Sequence, residues 1–251
     1  MTLSRRTLVG GLALASAVQV TGRSLSLAQE AGTPEAMERE APGYAIVRVR
    51  ALPEAELNQA IYPHVMHRFL PEIQEVPGFA SYFFAFHDDD PSASITMTLT
   101  SDEAAGVASN EAAVNFVGGL DPRFAVETPL AQEGPLRIFG MTERPVTELS
   151  PFLHGYKLTV RDRQTAEGAD IEAVIAQARD ELLPLMTGMD GFVMYAWILT
   201  PTGRVAINIW ESAEQQAAGD QAVADFVANN TVSTTVGEPV VNTGTIGYAA
   251  L

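Results

Sequence analysis

The sequence predicts an α+β fold in which two similar halves of one chain pack together as a closed barrel. Segments of the first half return about 110 residues later, which is the size of a small domain and far too long for a solenoid repeat. Strand and helix patterns follow the same order in both halves, and several strands are apolar on both faces.

Short matching segments make the repeat visible. Leu-Pro pairs begin at residues 70 and 183, and Gly-Phe pairs begin at residues 78 and 191. The stretch NEAAVNFV at 110–117 returns as DQAVADFV at 220–227. Ser101 aligns with Ser212 as a helix N-cap, and this alignment makes Leu99 the counterpart of Trp210.

The first half contains four predicted strands and two predicted helices. In chain order they are a strand (Tyr44–Arg50), a helix (Glu54–Val76), two strands (Phe79–Phe86 and Ser94–Thr100), a helix (Ser101–Val117) and a strand (Pro135–Met141). Apolar residues at every fourth position indicate the first helix, which Pro63 and Pro71 should kink or break. The second helix should end near Gly118.

The second half repeats this order. Its predicted elements are a strand (Gly155–Arg161), a helix (Asp170–Met186), two strands (Phe192–Leu199 and Arg204–Trp210), a helix that begins after Ser212 and ends near Ala228, and a strand (Thr243–Tyr248). The order strand-helix-strand-strand-helix-strand defines a ferredoxin-like unit, whose helices cover only one face of its sheet. The other apolar face must also be buried, and the second copy is the nearest partner. We therefore expect two tandem ferredoxin-like units that form an intrachain pseudo-dimeric α+β barrel.

Composition excludes several classes of function. The chain has 15 Lys and Arg against 31 Asp and Glu, which gives a net charge of −16 without a basic cluster. Nucleic acid and anionic membrane surfaces are therefore not expected partners. The absence of cysteine excludes thiolate catalysis, disulfides, Cys-ligated zinc and iron–sulfur clusters.

The first residues resemble a twin-arginine export signal. Ser4-Arg5-Arg6-Thr7 precedes a short apolar run, and Ser26-Leu27-Ala28 is a plausible cleavage site. An amphipathic or membrane-anchoring helix is the alternative. We expect a signal peptide at 1–28, a disordered linker at 29–42, one unit at 43–148 and the other at 149–251, in an exported (periplasmic or extracellular) protein without a membrane span after cleavage.

The segment Trp210-Glu211-Ser212 resembles the strand end of antibiotic-biosynthesis-monooxygenase-like domains in the dimeric α+β barrel superfamily. With the element order and the Gly-Phe strand entries, the resemblance covers residues 43–251. It implies that the face carrying Ala206, Asn208 and Trp210 looks into a ligand cavity. Asn208 could then bond a substrate carbonyl or phenolate, and Trp210 could stack on a ring.

Asn208 and Trp210 are the candidate catalytic residues, and the candidate substrate-binding residues are Tyr195, Trp197 and Met97. The alternative is that Trp210 is a core residue and that Asn208 forms a hydrogen bond with a local backbone group. Haem-degrading members of the superfamily combine such a Trp with an Asn on the first strand and a His on the second helix. Both are missing here, so no haem and no other cofactor is expected.

The four histidines do not predict a metal site. His64 and His67 share a helix face, and His87 precedes Asp88, Asp89 and Asp90, but the spacing does not bring these groups together. A solvated helix face and an acidic turn explain them as well.

Two functions remain open. One is a cofactor-independent monooxygenase-like enzyme acting on an aromatic or polyketide-like molecule, and the other is a non-catalytic extracytoplasmic domain that binds or senses an apolar ligand. A monomer is expected because the second half supplies the pairing that a second chain would otherwise provide.

Overall fold

A closed barrel of antiparallel strands forms the centre of the protein. A computed structural model describes residues 42–124, 126–144, 149, 151–230 and 238–251. The strands are β1 (Tyr44–Ala51), β2 (Phe79–His87), β3 (Ala93–Thr100), β4 (Glu127–Met141), β5 (Lys157–Gln164), β6 (Phe192–Thr200), β7 (Gly203–Trp210) and β8 (Val240–Ala250). They close in the order β1-β3-β2-β8-β5-β7-β6-β4, which confirms the expected barrel. The predicted signal peptide and the linker up to residue 41 lie outside the described residues.

The helices pack on the outside of this barrel. They are α1 (Ala55–His64), α2 (Leu70–Gln74), α3 (Glu103–Gly118), α4 (Ile171–Gln177), α5 (Leu183–Thr187) and α6 (Ala213–Asn229). Helices α1, α2 and α3 cover the outer face of the sheet around Tyr82 and Phe84. Helices α4, α5 and α6 cover the outer face around Tyr195 and Trp197. None of the described helices has both the length and the apolar character needed to cross a membrane.

The barrel interior is filled with apolar side chains. Val47 and Met97 from the first half pack with Val193, Ile207 and Ile209 from the second, and each is at most 1% exposed. Two seams join the halves, since β2 pairs with β8 and β4 pairs with β6. This shared interior hides the second apolar face of each half-sheet.

The first helical run is not a regular α-helix throughout, as its prolines predict. A π-helical turn, Val65–Phe69, connects α1 to α2, with Pro63 on one side and Pro71 on the other. A second π-helical turn, Ala178–Leu182, connects α4 to α5.

The cap of α3 corrects the alignment of the two halves. The N-cap is Asp102, whose carboxylate accepts a hydrogen bond from the Ala105 amide, rather than Ser101. Ser101 N donates to Gly78 O as Glu211 N donates to Gly191 O, so Ser101 corresponds to Glu211. The counterpart of Trp210 is therefore Thr100 and not Leu99. Because strand side chains alternate, this shift of one residue reverses the assigned faces.

Two strands are longer than the sequence indicates. β4 begins at Glu127 rather than at Pro135, and β8 extends over Val240–Ala250 rather than Thr243–Tyr248. The long β4 pairs with β1 through its first part and with β6 through its last part, so it belongs to both halves of the barrel.

Candidate functional site

The predicted site residues do not meet in the barrel interior. Asn208, Trp210, Tyr195 and Trp197 lie on the outer face, beneath α4, α5 and α6, whereas Met97 lies inside the barrel. The expectation that the Asn208–Trp210 face looks into the barrel is therefore wrong. The interior positions of β7 are those of Val205, Ile207 and Ile209.

Asn208 forms local hydrogen bonds and is fully buried. With its amide oxygen toward Arg161, the Arg161 Nη1 donates across 2.7 Å, and the Asn208 amide nitrogen donates to the Ile207 carbonyl across 3.1 Å. Arg161 also pairs with Asp220 on α6. Asn208 therefore has no contact with solvent through which a ligand could reach it.

The aromatic residues of the second half are packed as core. Trp210 has no exposed surface and contacts Phe192 edge to face at 5.7 Å between ring centroids. Gly219 of α6 lies directly over its indole, where a Cβ would clash. The Arg204 guanidinium lies 4.7 Å from the centre of the Trp197 ring, a cation–π contact that fills this side of the sheet.

The described residues contain no cluster of His and acidic side chains able to hold a metal ion. His87 Nδ1 accepts the amide N–H groups of Asp89 and Asp90, so this ring stabilises the turn before β3. His64 packs edge-on against Phe124 at 5.6 Å. These contacts are those of a structured turn and a packed helix end.

An open cavity of about 720 Å³ lies in the first half instead, between α3, β1 and β4. We call it the outer cavity. Ile46, Arg48 and Arg50 of β1 form its floor, because Val47 and Val49 alternate with them and point into the barrel. Its size suits a ligand of two or three rings.

The walls of the outer cavity are apolar and its rim is polar. Ala113, Val114 and Val117 of α3 line one side. On the rim, Asn110 of α3 donates to the Glu133 carboxylate of β4 across 2.7 Å. A ligand in this cavity would therefore meet apolar walls, two arginines below and one carboxylate at the entrance.

Arg48 and Arg50 are the most unusual groups of the cavity. Burial and the adjacent Arg50 charge lower the pKa of Arg48 to about 10, against the opposing influence of Tyr82 and Glu133. Burial also lowers the pKa of Arg50. Both guanidiniums stay protonated at neutral pH. Neither forms an ion pair with any described residue, so the floor carries two half-buried positive charges that an anion could neutralise.

In the second half, the arginine that corresponds to Arg48 is neutralised by an ion pair. Arg48 pairs with Thr96 in the sheet register as Arg161 pairs with Ala206, and Asn110 corresponds to Asp220. There, Asp220 forms the ion pair with Arg161. In the first half the carboxylate is replaced by an amide, which leaves Arg48 without that partner.

Sequence reasoning missed this cavity, although one signal was available. In YAIVRVRA, two arginines alternate with valines in a strand that the fold covers on both faces. Charged side chains are rare in such positions unless they are paired or functional. The absence of an obvious acidic partner for Arg48 and Arg50 was therefore a better signal than the presence of large aromatic residues.

The barrel and its outer helices define the class of protein. The solved structures similar to this chain share its architecture, a closed antiparallel barrel with helices on its outside. No protein-family model matches the sequence, and no curated protein matches it.

Three solved structures illustrate the similarity. One, from Fusobacterium nucleatum and described as "Putative monooxygenase", has a TM-score of 0.62 at 10% identity and covers 83% of this chain and 94% of its own. An anthrone oxidase-like protein has a TM-score of 0.56 at 14% identity, covering 84% and 94%. A mutant chlorite dismutase from Candidatus Nitrospira defluvii has a TM-score of 0.54 at 8% identity, covering 81% and 90%. Such identities show a common fold and leave the reaction open.

Proposed function

We propose that this chain binds an aromatic or polyketide-like organic anion in the outer cavity. The observation that carries the proposal is the pair of half-buried guanidiniums, Arg48 and Arg50, without an ion-pair partner among the described residues. A carboxylate or phenolate would receive charge-assisted hydrogen bonds from them, which are stronger than bonds between neutral groups. The apolar side of α3 would cover the ring system.

The test is calorimetric titration of the purified protein with benzoate and naphthoate, each compared with its neutral amide. We expect the acids to bind and the amides to bind at least about tenfold more weakly, because the amides lack the charge that Arg48 and Arg50 neutralise. Arg48→Gln should reduce the affinity for the acids about tenfold or more while the amides are unaffected. Equal binding of acid and amide would refute the proposal.

A second candidate function is oxygenation of the bound anion without a cofactor. The structural neighbours described as a monooxygenase and as anthrone oxidase-like favour it. In such a reaction a ring methylene and O2 give a ring carbonyl and water. One oxygen atom forms the carbonyl, the other leaves with both hydrogens, and the substrate supplies all four electrons. The Glu133 carboxylate at the cavity entrance would accept the first proton, and Arg48 would stabilise the resulting anion.

Oxygen uptake with anthrone and dihydroxynaphthalene substrates separates the two functions. Uptake by the wild type that Arg48→Gln abolishes would favour the enzyme. Uptake that depends on Asn208, with Asn208→Ala inactive and Arg48→Gln active, would place the reaction in the second half and overturn this proposal. Binding without any uptake would leave a binding or sensing protein.

We also propose that the protein is exported and that its chain consists of a signal peptide, a linker and two similar units. Residues 1–28 would be the signal, 29–42 the linker, and 43–148 and 149–251 two tandem ferredoxin-like units that pair within one monomer. N-terminal sequencing of the secreted protein tests the cleavage after Ala28. Light scattering tests the monomer, and a mass of two chains would contradict it.

A further inference from the structure

A second, smaller space adjoins the outer cavity. This inner chamber has a volume of about 20 Å³ and lies between the sheet, the π-helical turn Val65–Phe69 and α3. Arg50 and Val126 line both the outer cavity and the inner chamber, so the two spaces are adjacent at these residues. A chamber of this volume holds one water-sized group.

The chamber walls carry the hydrogen-bonding side chains of Arg50, Tyr82, Ser94 and Thr96. Arg50 Nε is buried without an acceptor, and the Tyr82 hydroxyl forms no hydrogen bond with any described residue. Arg50 and Tyr82 both line the chamber, which places the phenol near the Arg50 side chain. Tyr82 is 3% exposed and lines the chamber, so an oxygen atom placed there could accept a hydrogen bond from its hydroxyl.

Tyr82 can act only as a neutral donor at physiological pH. Burial raises its pKa to about 12, and the nearby Arg50 and Arg48 only partly offset this effect. The phenol therefore keeps its proton and can donate it to an oxygen atom placed in the chamber.

The corresponding place in the second half is filled. Trp197 stands where the first half has Phe84, and Arg204 stands where it has Ser94. The Arg204 guanidinium covers the Trp197 ring, and Tyr195 is the counterpart of Tyr82. The two halves thus share a buried tyrosine, and in the first half this tyrosine lines the inner chamber.

We propose, on the basis of the function proposed above, that the ligand has two oxygen-bearing ends. Its carboxylate or phenolate lies against Arg48 in the outer cavity. A hydroxyl or carbonyl oxygen at the opposite end enters the inner chamber, where it accepts hydrogen bonds from the Tyr82 hydroxyl and Arg50 Nε–H. The chamber is too small for more than one such group, so the substrate class is a hydroxy- or oxo-substituted aromatic acid or phenol.

The experiment compares para-hydroxybenzoate with para-methylbenzoate, because hydroxyl and methyl groups are nearly equal in size. Calorimetric titration of the wild type should show about a tenfold preference for the hydroxy compound, since the methyl group leaves both donors without an acceptor. Tyr82→Phe should abolish this preference. Tyr195→Phe, the same deletion in the second half, should keep it. Neither variant removes a hydrogen bond seen among the described residues, so Tyr82→Phe should unfold at the wild-type temperature.

The outcomes separate this inference from the function on which it rests. A preference that survives in Tyr82→Phe, or one that Tyr195→Phe also abolishes, overturns the inner chamber as the oxygen site. If both acids still bind and Arg48→Gln weakens them equally, the anion site stands without the chamber. Failure of both acids to bind the wild type would overturn the anion site and this inference together. A loss of stability in Tyr82→Phe would show a structural hydroxyl instead.

Discussion

Asn110→Asp is the sharpest perturbation of the outer cavity, because it gives the first half the carboxylate that the second half has at Asp220. In the second half this carboxylate pairs with Arg161. We expect the carboxylate introduced on α3 to pair with Arg48 in the same way. It would then neutralise the positive charge that otherwise attracts an anionic ligand. The affinity for benzoate should fall while the fold is retained.

The size of the effect follows from the position of Arg48. Two unit charges 4 Å apart attract each other by about 4 kcal/mol at an effective dielectric constant near 20. The guanidinium of Arg48 is only partly buried, and exposed pairs contribute roughly 1 kcal/mol or less, so we expect an intermediate value of about 1–2 kcal/mol. This corresponds to an affinity for benzoate that is roughly 5- to 30-fold weaker.

The assay is titration with benzoate at pH 7 and low salt, with Asn110→Ala as the matched control. The alanine variant also loses the hydrogen bond to Glu133 but adds no charge. The difference between the two variants therefore measures the effect of the new carboxylate, including its repulsion from Glu133, and it should shrink as salt is added. Equal affinities in the aspartate and alanine variants would refute the argument that Arg48 is the open charge.

Two further predictions concern the packing and the tyrosines. Gly219→Ala should lower the free energy of unfolding by about 1–3 kcal/mol in denaturant titration, because the new methyl group would clash with Trp210; Gly118→Ala, which meets open space, should not destabilise the protein. The pKa values of Tyr82 and Tyr195 are raised by burial to about 12, so both phenols should stay protonated at pH 11 in an absorbance titration. Since the unfolded chain loses these protons near pH 10, stability should fall as pH rises from about 10 to 12. Ionisation of all tyrosines near pH 10 in the folded protein would contradict this.

The sequence predicted the order of strands and helices along the chain because alternation and helical spacing are local signals, and strands that are apolar on both faces predicted the closed barrel. It did not predict the exact register. Ser101 and Ser212 look like equivalent caps, but the carboxylate of Asp102 caps α3 because Ser101 still extends the strand end and bonds to Gly78. An error of one residue in a strand exchanges inside for outside, so the alignment with the inward-facing Leu99 agreed wrongly with the inward position that the family resemblance implied for Trp210.

The candidate site could not be predicted from the sequence for a different reason. It depends on Arg48 having no acidic partner, and partners are set by packing between α3 and β1, far apart in the chain. The large aromatics Trp197 and Trp210 are rare in the sequence, but rarity does not distinguish a stacking surface from a packed core. The sequence shows Asn110 where the second half has Asp220. The consequence of this difference depends on the arginines that lie beneath them, Arg48 and Arg161, and their positions follow only from the fold.

The two seams that close the barrel within one chain have an evolutionary consequence. In a symmetric homodimer every substitution appears in both subunits, so a change that opens one pocket opens its twin as well. Here the sides that face each other are encoded separately, and each can accumulate its own mutations. Asn110 and Asp220 are such an independent pair: one side can specialise in recognition while the other keeps the scaffold rigid.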